Sequence, residues 1–279
     1  MTDSYAVVGN PIAHSLSPRI HGAFAAQTGE DIHYEKRLVE MGGFADFARE
    51  FFAAGGCGLN VTLPFKLDAC AFADVLTERA RAAGAVNTLA KQPDGGVLGD
   101  NTDGAGLVAD IRRNLGWEIR GKRVLLLGAG GAARGALLPL LAEKPAQIHI
   151  ANRTAAKAEQ LAQEFSAGAA VTAGGLEDFP GSFDLVINAS AAGLSNEMPA
   201  LPASVIGPGC RAYDMVYGAE PTPFMRWAAQ LGAQTADGLG MLVGQAAEAF
   251  YLWRGLRPAV APVLEMLRAE LRSRDATAK

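Results

Sequence analysis

Two side chains of the 279-residue sequence, Lys66 and Asp103, are suited to moving a proton to and from an oxygen. Lys66 closes the segment Asn60-Val-Thr62-Leu-Pro64-Phe-Lys66, just past an apolar run that reads as a strand stopped by Pro64. Ligands in open α/β sheets bind beyond the C-terminal ends of strands, so a lysine there has a chemical reading besides that of a solvated charge. Asn60 and Thr62 lie two apart and share one face of that strand. Polar side chains buried on such a face need partners. Asp103 lies in Gly99-Asp-Asn-Thr-Asp103-Gly104. It either caps the helix that runs toward Leu115 or meets Lys66, and a Lys–Asp couple suits the interconversion of a carbonyl and an alcohol. Asn87 adds an amide in Ala85-Val-Asn87-Thr88. In Gly9-Asn-Pro-Ile-Ala-His14-Ser15-Leu-Ser17-Pro18, the two serines sit at a strand-to-helix turn. They either aim hydroxyls and N–H groups at one carboxylate or simply belong to a capped helix start, and spacing alone does not choose.

A second constellation points to a nucleotide. The short apolar strand Arg123–Leu127 runs into Gly128-Ala129-Gly130-Gly131-Ala132-Ala133, and a helical pattern follows to about Ala142. In this G-x-G-x-x-A order Gly128 permits the tight turn, Gly130 lets backbone approach a pyrophosphate, and Ala133 keeps helix and strand close. The helix start supplies free N–H groups and the positive dipole end. NAD sites usually place an acid about 20 residues on, where it accepts from the ribose 2′-OH. Here the next strand ends in Asn152-Arg153-Thr154, with Lys157 one turn later and no acid. Arg153 can fork onto a 2′-phosphate, Asn152 and Thr154 can donate to it, and Lys157 adds charge, so NADP is the expected cofactor.

These residues need a scaffold, and short apolar runs alternating with amphipathic stretches read as α/β with parallel strands. In the first hundred residues the strands are expected at Tyr5–Val8, His33–Leu38, Gly58–Thr62 and Val86–Ala90. The helices are expected at Pro18–Gln27, Gly43–Ala53 and Thr77–Ala83, with Ser17 capping the first. Pro139 should kink the glycine-turn helix or end it early. Strands Ile148–Ala151, Ala170–Thr172, Leu185–Asn188 and Ala212–Met215 complete a dinucleotide-binding sheet. Helices Met241–Trp253 and Pro258–Arg272 follow, and the tail 273–279 is expected to fray. Glycine-rich crossings at Gly99–Gly106 and Asp237–Gly240 divide the chain into a substrate domain, 1–103, and a Rossmann-like domain, 104–237. Residues 238–279 are expected to return as helices onto the first domain.

Composition narrows the function. Hydrophobic residues make up 49% and charged residues 19%, which fits a folded protein rather than a disordered one. A net charge of −4 argues against broad attraction to nucleic acid. Cys57, Cys70 and Cys210 are odd in number and fit no disulfide framework or zinc ribbon. His14, His21, His33 and His149 show no metal-ligand spacing, and no metal is expected. The opening Met1-Thr-Asp-Ser-Tyr5 stretch lacks the features of a signal peptide, and no run is long enough for a bilayer, so a cytoplasmic location is expected.

With these residues in view, the chain resembles the shikimate dehydrogenases over nearly its whole length. The matching stretches, in order, are GNPIAHSLSP, NVTLPFK, AGAVNT, NTDGAG, GAGGAARG, NRT, NAS, YDMVY and DGLGMLVGQAAEAF. The resemblance implies reduction of 3-dehydroshikimate to shikimate with NADPH, in aromatic amino-acid biosynthesis, by a monomer or homodimer. It implies that Lys66 and Asp103 form the catalytic pair. Ser15 and Ser17, helped by Tyr217, would bind the substrate carboxylate. Asn60, Thr62, Asn87, Asp103 and Gln245 would meet the ring hydroxyls, and Met215 and Gly238 would lie beside the nicotinamide. The chain departs from the family at Gly22, where Asn is usual, and at Ala191, where Thr or Ser is common. His14 and His21 flank the serine motif and read as structural or peripheral. Two rivals remain: a quinate/shikimate dehydrogenase using NAD, which commonly has Thr at the position of Ser17 and which the missing acid at Asn152 and the Ser15-Leu16-Ser17 triplet argue against, and a non-catalytic NADP-binding regulator, which would be expected to lose Lys66 and Asp103.

Overall fold

The computed structural model describes residues 2–165, 170–190 and 197–278, with side chains up to residue 273. The chain forms two compact units: residues 1–106 with 243–263, and residues 107–242 with 264–279.

The first unit opens with β1 (Asp3–Gly9), α1 (Ser17–Thr28), β2 (Ile32–Leu38), α2 (Phe44–Ala53) and β3 (Gly56–Val61). It continues with α3 (Lys66–Phe72), β4 (Val75–Leu76), α4 (Glu78–Ala83), β5 (Thr88–Lys91), β6 (Val97–Asp100) and the start of α5 (Asp103–Ala109). The strands form one sheet in the order β2-β1-β3-β5-β6-β4. The expected parallel pairing holds for β1 with β2 and β3 and for β4 with β6, whereas β5 runs antiparallel to both β3 and β6. A tight turn sets the β5–β6 pairing. Gln92 and Gly96 pair through their backbones, Gly95 takes φ +91°, and so short a connection can only return the chain antiparallel. Ala6, Val8, Leu59 and Val61 point to one face and pack with Phe44, Phe52 and Phe65. On the first strand Tyr5 stacks obliquely on Trp253, with ring centres 4.6 Å apart.

The expected Ser17 cap is not formed. Ser17 is the first helical residue, Leu16 holds the cap position, and no side chain caps the helix. The Ser15 hydroxyl instead accepts from the Ser17 N–H at 3.3 Å and donates to the Ser17 hydroxyl at 3.2 Å. Asp103 does not cap α5 either. It is the helix's first residue, and Asn101 Oδ1 accepts from its N–H.

The second unit contains β7 (Arg123–Leu127), α6 (Gly131–Ala142), β8 (Gln147–Ala151), α7 (Ala155–Phe165), β9 (Val171–Gly174) and β10 (Phe183–Asn188). β11 (Ile206–Asp214), α8 (Pro223–Gln230) and β12 (Gln234–Ala236) follow. Its six strands are all parallel in the order β9-β8-β7-β10-β11-β12. That is the doubly wound dinucleotide-binding order, with its switch point between β7 and β10. Side chains of β7 alternate: Val124 and Leu126 enter one core, Leu125 and Leu127 the other. Pro139 does not end α6, which continues to Ala142. The buried row Ala133, Ala136, Leu137 and Leu140 holds the helix to the sheet despite the lost ladder bond.

α9 (Leu239–Arg254) and α10 (Val260–Ala278) close the chain, and α10 runs on through most of the tail expected to fray. The sequence reading assigns all of 238–279 to the first domain; in the structure 243–263 group with the first unit, and 238–242 and 264–279 with the second. There Arg268 clamps Asp237 through both terminal nitrogens, at 2.6 and 2.5 Å. Among the described residues no helix is long and apolar enough to cross a membrane.

Candidate active site

In the first unit the β3 strand ends at Val61, and the turn after it brings Lys66 to the first position of α3. Lys66 Nζ donates to Asp103 Oδ2 at 2.5 Å. Neither side chain is closed off from solvent, with 28% and 18% of their surfaces exposed, so an incoming ligand oxygen has access to both.

The other carboxylate oxygen is held by an amide whose orientation is not ambiguous. The Thr102 N–H, which can only donate, reaches Asn87 Oδ1 at 2.9 Å. Asn87 Nδ2 therefore faces Asp103 Oδ1, at 2.8 Å, with Thr102 Oγ1 at 2.9 Å and Gln245 Oε1 at 3.3 Å also in reach. Gln245 arrives from α9, and Thr102 Oγ1 donates to its Oε1 at 3.4 Å. Thr88, wholly buried, donates to Asn87 Oδ1 at 2.9 Å and accepts from Asn60 Nδ2 at 3.1 Å. Asn60 Oδ1 in turn accepts from the Tyr34 hydroxyl at 2.6 Å. Each donor in the chain Tyr34–Asn60–Thr88–Asn87 thus points toward Asp103, and Lys66 donates to the same carboxylate from the other side.

The loop bearing Asp103 is pinned at Asp100, which is 1% exposed. Arg79 donates to both its carboxylate oxygens, at 2.7 and 2.5 Å, while Thr77 and the Asn101 N–H donate at 2.6 and 2.8 Å. Burial pushes the Asp100 carboxyl up, but the Arg79 guanidinium and these donors outweigh it and hold the pKa below the usual range.

The structure therefore brings together Asn60, Lys66, Asn87, Asp103 and Gln245 of the residues singled out from sequence. Thr62 sits just past the end of β3, its N–H on the Val8 carbonyl at 2.9 Å. Ser15 and Ser17 pair with each other at the start of α1. Sequence reasoning misses Tyr34, Thr88, Thr102, Asn101 and the Arg79–Asp100 pair. Only the threonine and asparagine density around positions 87–102 carries any trace of them.

In the second unit the glycine turn takes the form a dinucleotide requires. Gly128 has φ +106°, and a Cβ there would lie 3.1 Å from the Ala189 carbonyl oxygen, so the turn admits little but glycine. Gly130 holds the cap position of α6 with no side-chain cap, and a Cβ on Gly130 or Gly131 would meet nothing within 4 Å. Among the described residues the first turn of α6 thus has room at both glycines and no side-chain cap, as a pyrophosphate site needs. After β8, Asn152 folds its Nδ2 onto the Thr154 carbonyl at 3.0 Å. Arg153, Thr154 and Lys157 are exposed, and neither cation has a side-chain partner among the described residues. Two uncommitted cations and no acid beside this turn fit a 2′-phosphate.

Around the ends of β10 and β11, Asp214 collects Thr222 Oγ1 at 2.6 Å, Val216 N–H at 3.1 Å and Asn188 Nδ2 at 3.2 Å. This fixes Met215, whose N–H also reaches the Asn188 carbonyl at 3.0 Å. Gly238 packs so tightly on it that a Cβ would lie 2.1 Å from the Met215 oxygen. Tyr217 is half-buried in this unit, and burial pushes its phenol up. Ala191 lies outside the described residues.

Comparison with known proteins agrees with this anatomy. Residues 7–89 match the family model of the shikimate dehydrogenase substrate binding domain, 110–195 that of shikimate / quinate 5-dehydrogenase, and 238–268 that of the shikimate 5′-dehydrogenase C-terminal domain. The shikimate dehydrogenase (NADP(+)) of Cellvibrio japonicus is 60% identical, across 97% of this chain and 99% of its own. Among solved structures, an Ael1 enzyme from Pseudomonas putida superposes with a TM-score of 0.92 at 46% identity, covering 95% of this chain and 98% of that one. The shikimate 5-dehydrogenase of Thermus thermophilus, solved with NADP(H) and shikimate, gives 0.85 at 33% identity over 96% and 99%.

Proposed function

The chain belongs to the shikimate dehydrogenase family, and on that premise we propose that it reduces the ring ketone of 3-dehydroshikimate to shikimate with NADPH, reversibly. The observation that carries this reading is the Lys66–Asp103 contact at 2.5 Å, anchored on its far side by Asn87. Bound NADPH supplies the hydride. Gly128, Gly130 and Gly131 hold the pyrophosphate at the α6 N-terminus, and Arg153 and Lys157 take the 2′-phosphate. Lys66 donates a proton to the substrate oxygen as charge builds on it, and Asp103 binds the same oxygen's hydroxyl and orients the ammonium. Ser15 and Ser17, with Tyr217, receive the ring carboxylate, and Asn60, Thr62, Asn87 and Gln245 receive the ring hydroxyls. Met215 and Gly238 shape the nicotinamide pocket. Three free thiols and no disulfide among the described residues fit a reducing, cytoplasmic compartment.

The test follows reduced-nicotinamide absorbance with shikimate or quinate and NADP or NAD. Fast reduction of NADP by shikimate alone is the expected result. Turnover of quinate with NAD replaces the reading with the broader quinate/shikimate activity. NADP binding without turnover of any pair replaces it with a regulator.

A further inference from the structure

Asn60 has an unusual economy of hydrogen bonds. Its Nδ2 lies 3.1 Å from Thr88 Oγ1 and 3.4 Å from the Asn87 carbonyl oxygen. A carbonyl cannot donate, so the amide nitrogen must face it, and the two amide hydrogens are both committed. Its Oδ1 accepts from the Tyr34 hydroxyl at 2.6 Å. One lone pair on Oδ1 is then all that Asn60 has left for a ligand.

Tyr34 is built to hold that oxygen. Its ring lies flat on the buried His21 imidazole, with centres 4.3 Å apart and planes 8° from parallel. Trp253 flanks both rings, at 6.3 Å from Tyr34 and 5.2 Å from His21. Burial holds the His21 pKa down at about 3 and outweighs the opposing effect of the neighbouring Asn60 side chain, so the platform is a neutral ring at working pH. The Tyr34 phenol is pushed well above its ordinary range by burial, and the nearby Ser17 side chain opposes that shift. It is therefore a constant donor, set between the serine turn of α1 and the amide of β3.

We propose that Tyr34 is a positioning residue for substrate selection: by donating to Asn60 Oδ1 it holds the amide with both hydrogens turned to Thr88 and Asn87, which leaves one Oδ1 lone pair as the contact and selects a ligand bearing a hydroxyl donor at that point. This rests on the shikimate reading above. It predicts that Asn60 discriminates against a ring carrying hydrogen, methoxy or carbonyl at the contacted position, since none of these donates to the lone pair that Tyr34 leaves open on the buried oxygen.

The test uses the full chain, shikimate, and analogues in which each non-reacting ring hydroxyl is replaced in turn by hydrogen or methoxy. For the unmodified protein, one position should lose about tenfold or more in KM with both replacements, the loss of about one hydrogen bond to a buried group. Tyr34→Phe keeps the ring stack and should raise the shikimate KM by about tenfold, with kcat within about twofold and the NADP KM unchanged. With the analogue altered at the contacted position, the same substitution should change KM little, because the contact it supports is already gone. A merely structural role would raise KM by one factor for every ligand, and that result overturns the inference. So does an unmodified protein that takes methoxy as readily as hydroxyl at both positions, which decides the matter even if Tyr34→Phe does not fold. An unmodified protein that does not oxidise shikimate overturns the proposed activity itself.

Discussion

Lys66 becomes a proton donor through its neighbours: its carbonyl receives the Val86 N–H at 2.9 Å while its ammonium meets Asp103. Lys66→Ala should cut turnover by about 10²–10⁴-fold, the usual range for lost acid–base help, with cofactor affinity unchanged in a fluorescence titration. Normal turnover would remove Lys66 from the mechanism. Arg153→Ala should weaken NADP far more than NAD, because only NADP carries the 2′-phosphate that a guanidinium can fork; equal weakening of both cofactors would sink that assignment. At this scale the sequence is most legible where residue type narrows the chemistry, as for Lys66, Asp103 and the acid-free turn at Asn152. It is least legible for Thr88 and Tyr34. A threonine on a strand and a tyrosine among aromatics are ordinary packing residues until their hydroxyls are seen to meet amide groups from elsewhere in the chain.

Elements decide whether those residues meet. The α5 start, the β5–β6 hairpin and α4 converge on Asp100, and the Arg79 fork replaces the water that a buried carboxylate would otherwise need. Arg79→Met should destabilise the chain by about 3 kcal/mol in urea unfolding, because it leaves a buried charge unpaired; Asp100→Asn in the same background should recover part of that loss. If Arg79→Met unfolds at the same urea concentration as the parent, the pair contributes nothing to stability. In the second unit the backbone of Gly238 lies against Met215. Gly238→Ala should push the two segments apart and lower kcat/KM about tenfold or more, since small misplacements near a reacting centre are expensive; unchanged kinetics would show that this contact does not shape the nicotinamide pocket. Sequence periodicity finds β7 to within a residue because a buried parallel strand reads as an apolar run. It misses β4 and β6, of two and four residues, because so few positions display no period, and it misjudges β5 because the turn that reverses it hides in Gln92–Gly96.

For the molecule as a whole, the buried histidine links stability to pH. The unfolded chain protonates His21 near pH 6.5, the folded chain only near about 3. Within that window the unfolded state binds the extra proton, so stability falls as pH drops, by about 1.4 kcal/mol per pH unit from this group alone. Asp110 and Asp214, raised mainly by burial, act in the opposite sense above the ordinary aspartate range. The difference in urea stability between the parent and His21→Phe should therefore shrink steadily, and even reverse, as pH falls from 6.5; a difference that is flat with pH would mean that His21 titrates alike in the folded and the unfolded chain.

The first unit is completed by residues 243–263, which leave the ribosome long after residues 1–106. Gln245 must reach Asn87, Trp253 Nε1 must donate to the Leu89 carbonyl at 3.0 Å, and Arg254 must pair with Asp3 and Glu30. At the usual pace of translation the intervening stretch takes about 7–27 s to emerge. For that interval the nascent strands β1–β6 lack their closing helix, and the Leu89–Trp253 surface stands open to chaperones and proteases. Ribosomes stalled before residue 243 should carry a first unit that is readily cleaved, while those stalled with residue 263 clear of the tunnel should not; equal resistance in both would mean that the first 106 residues fold without waiting for their last helix.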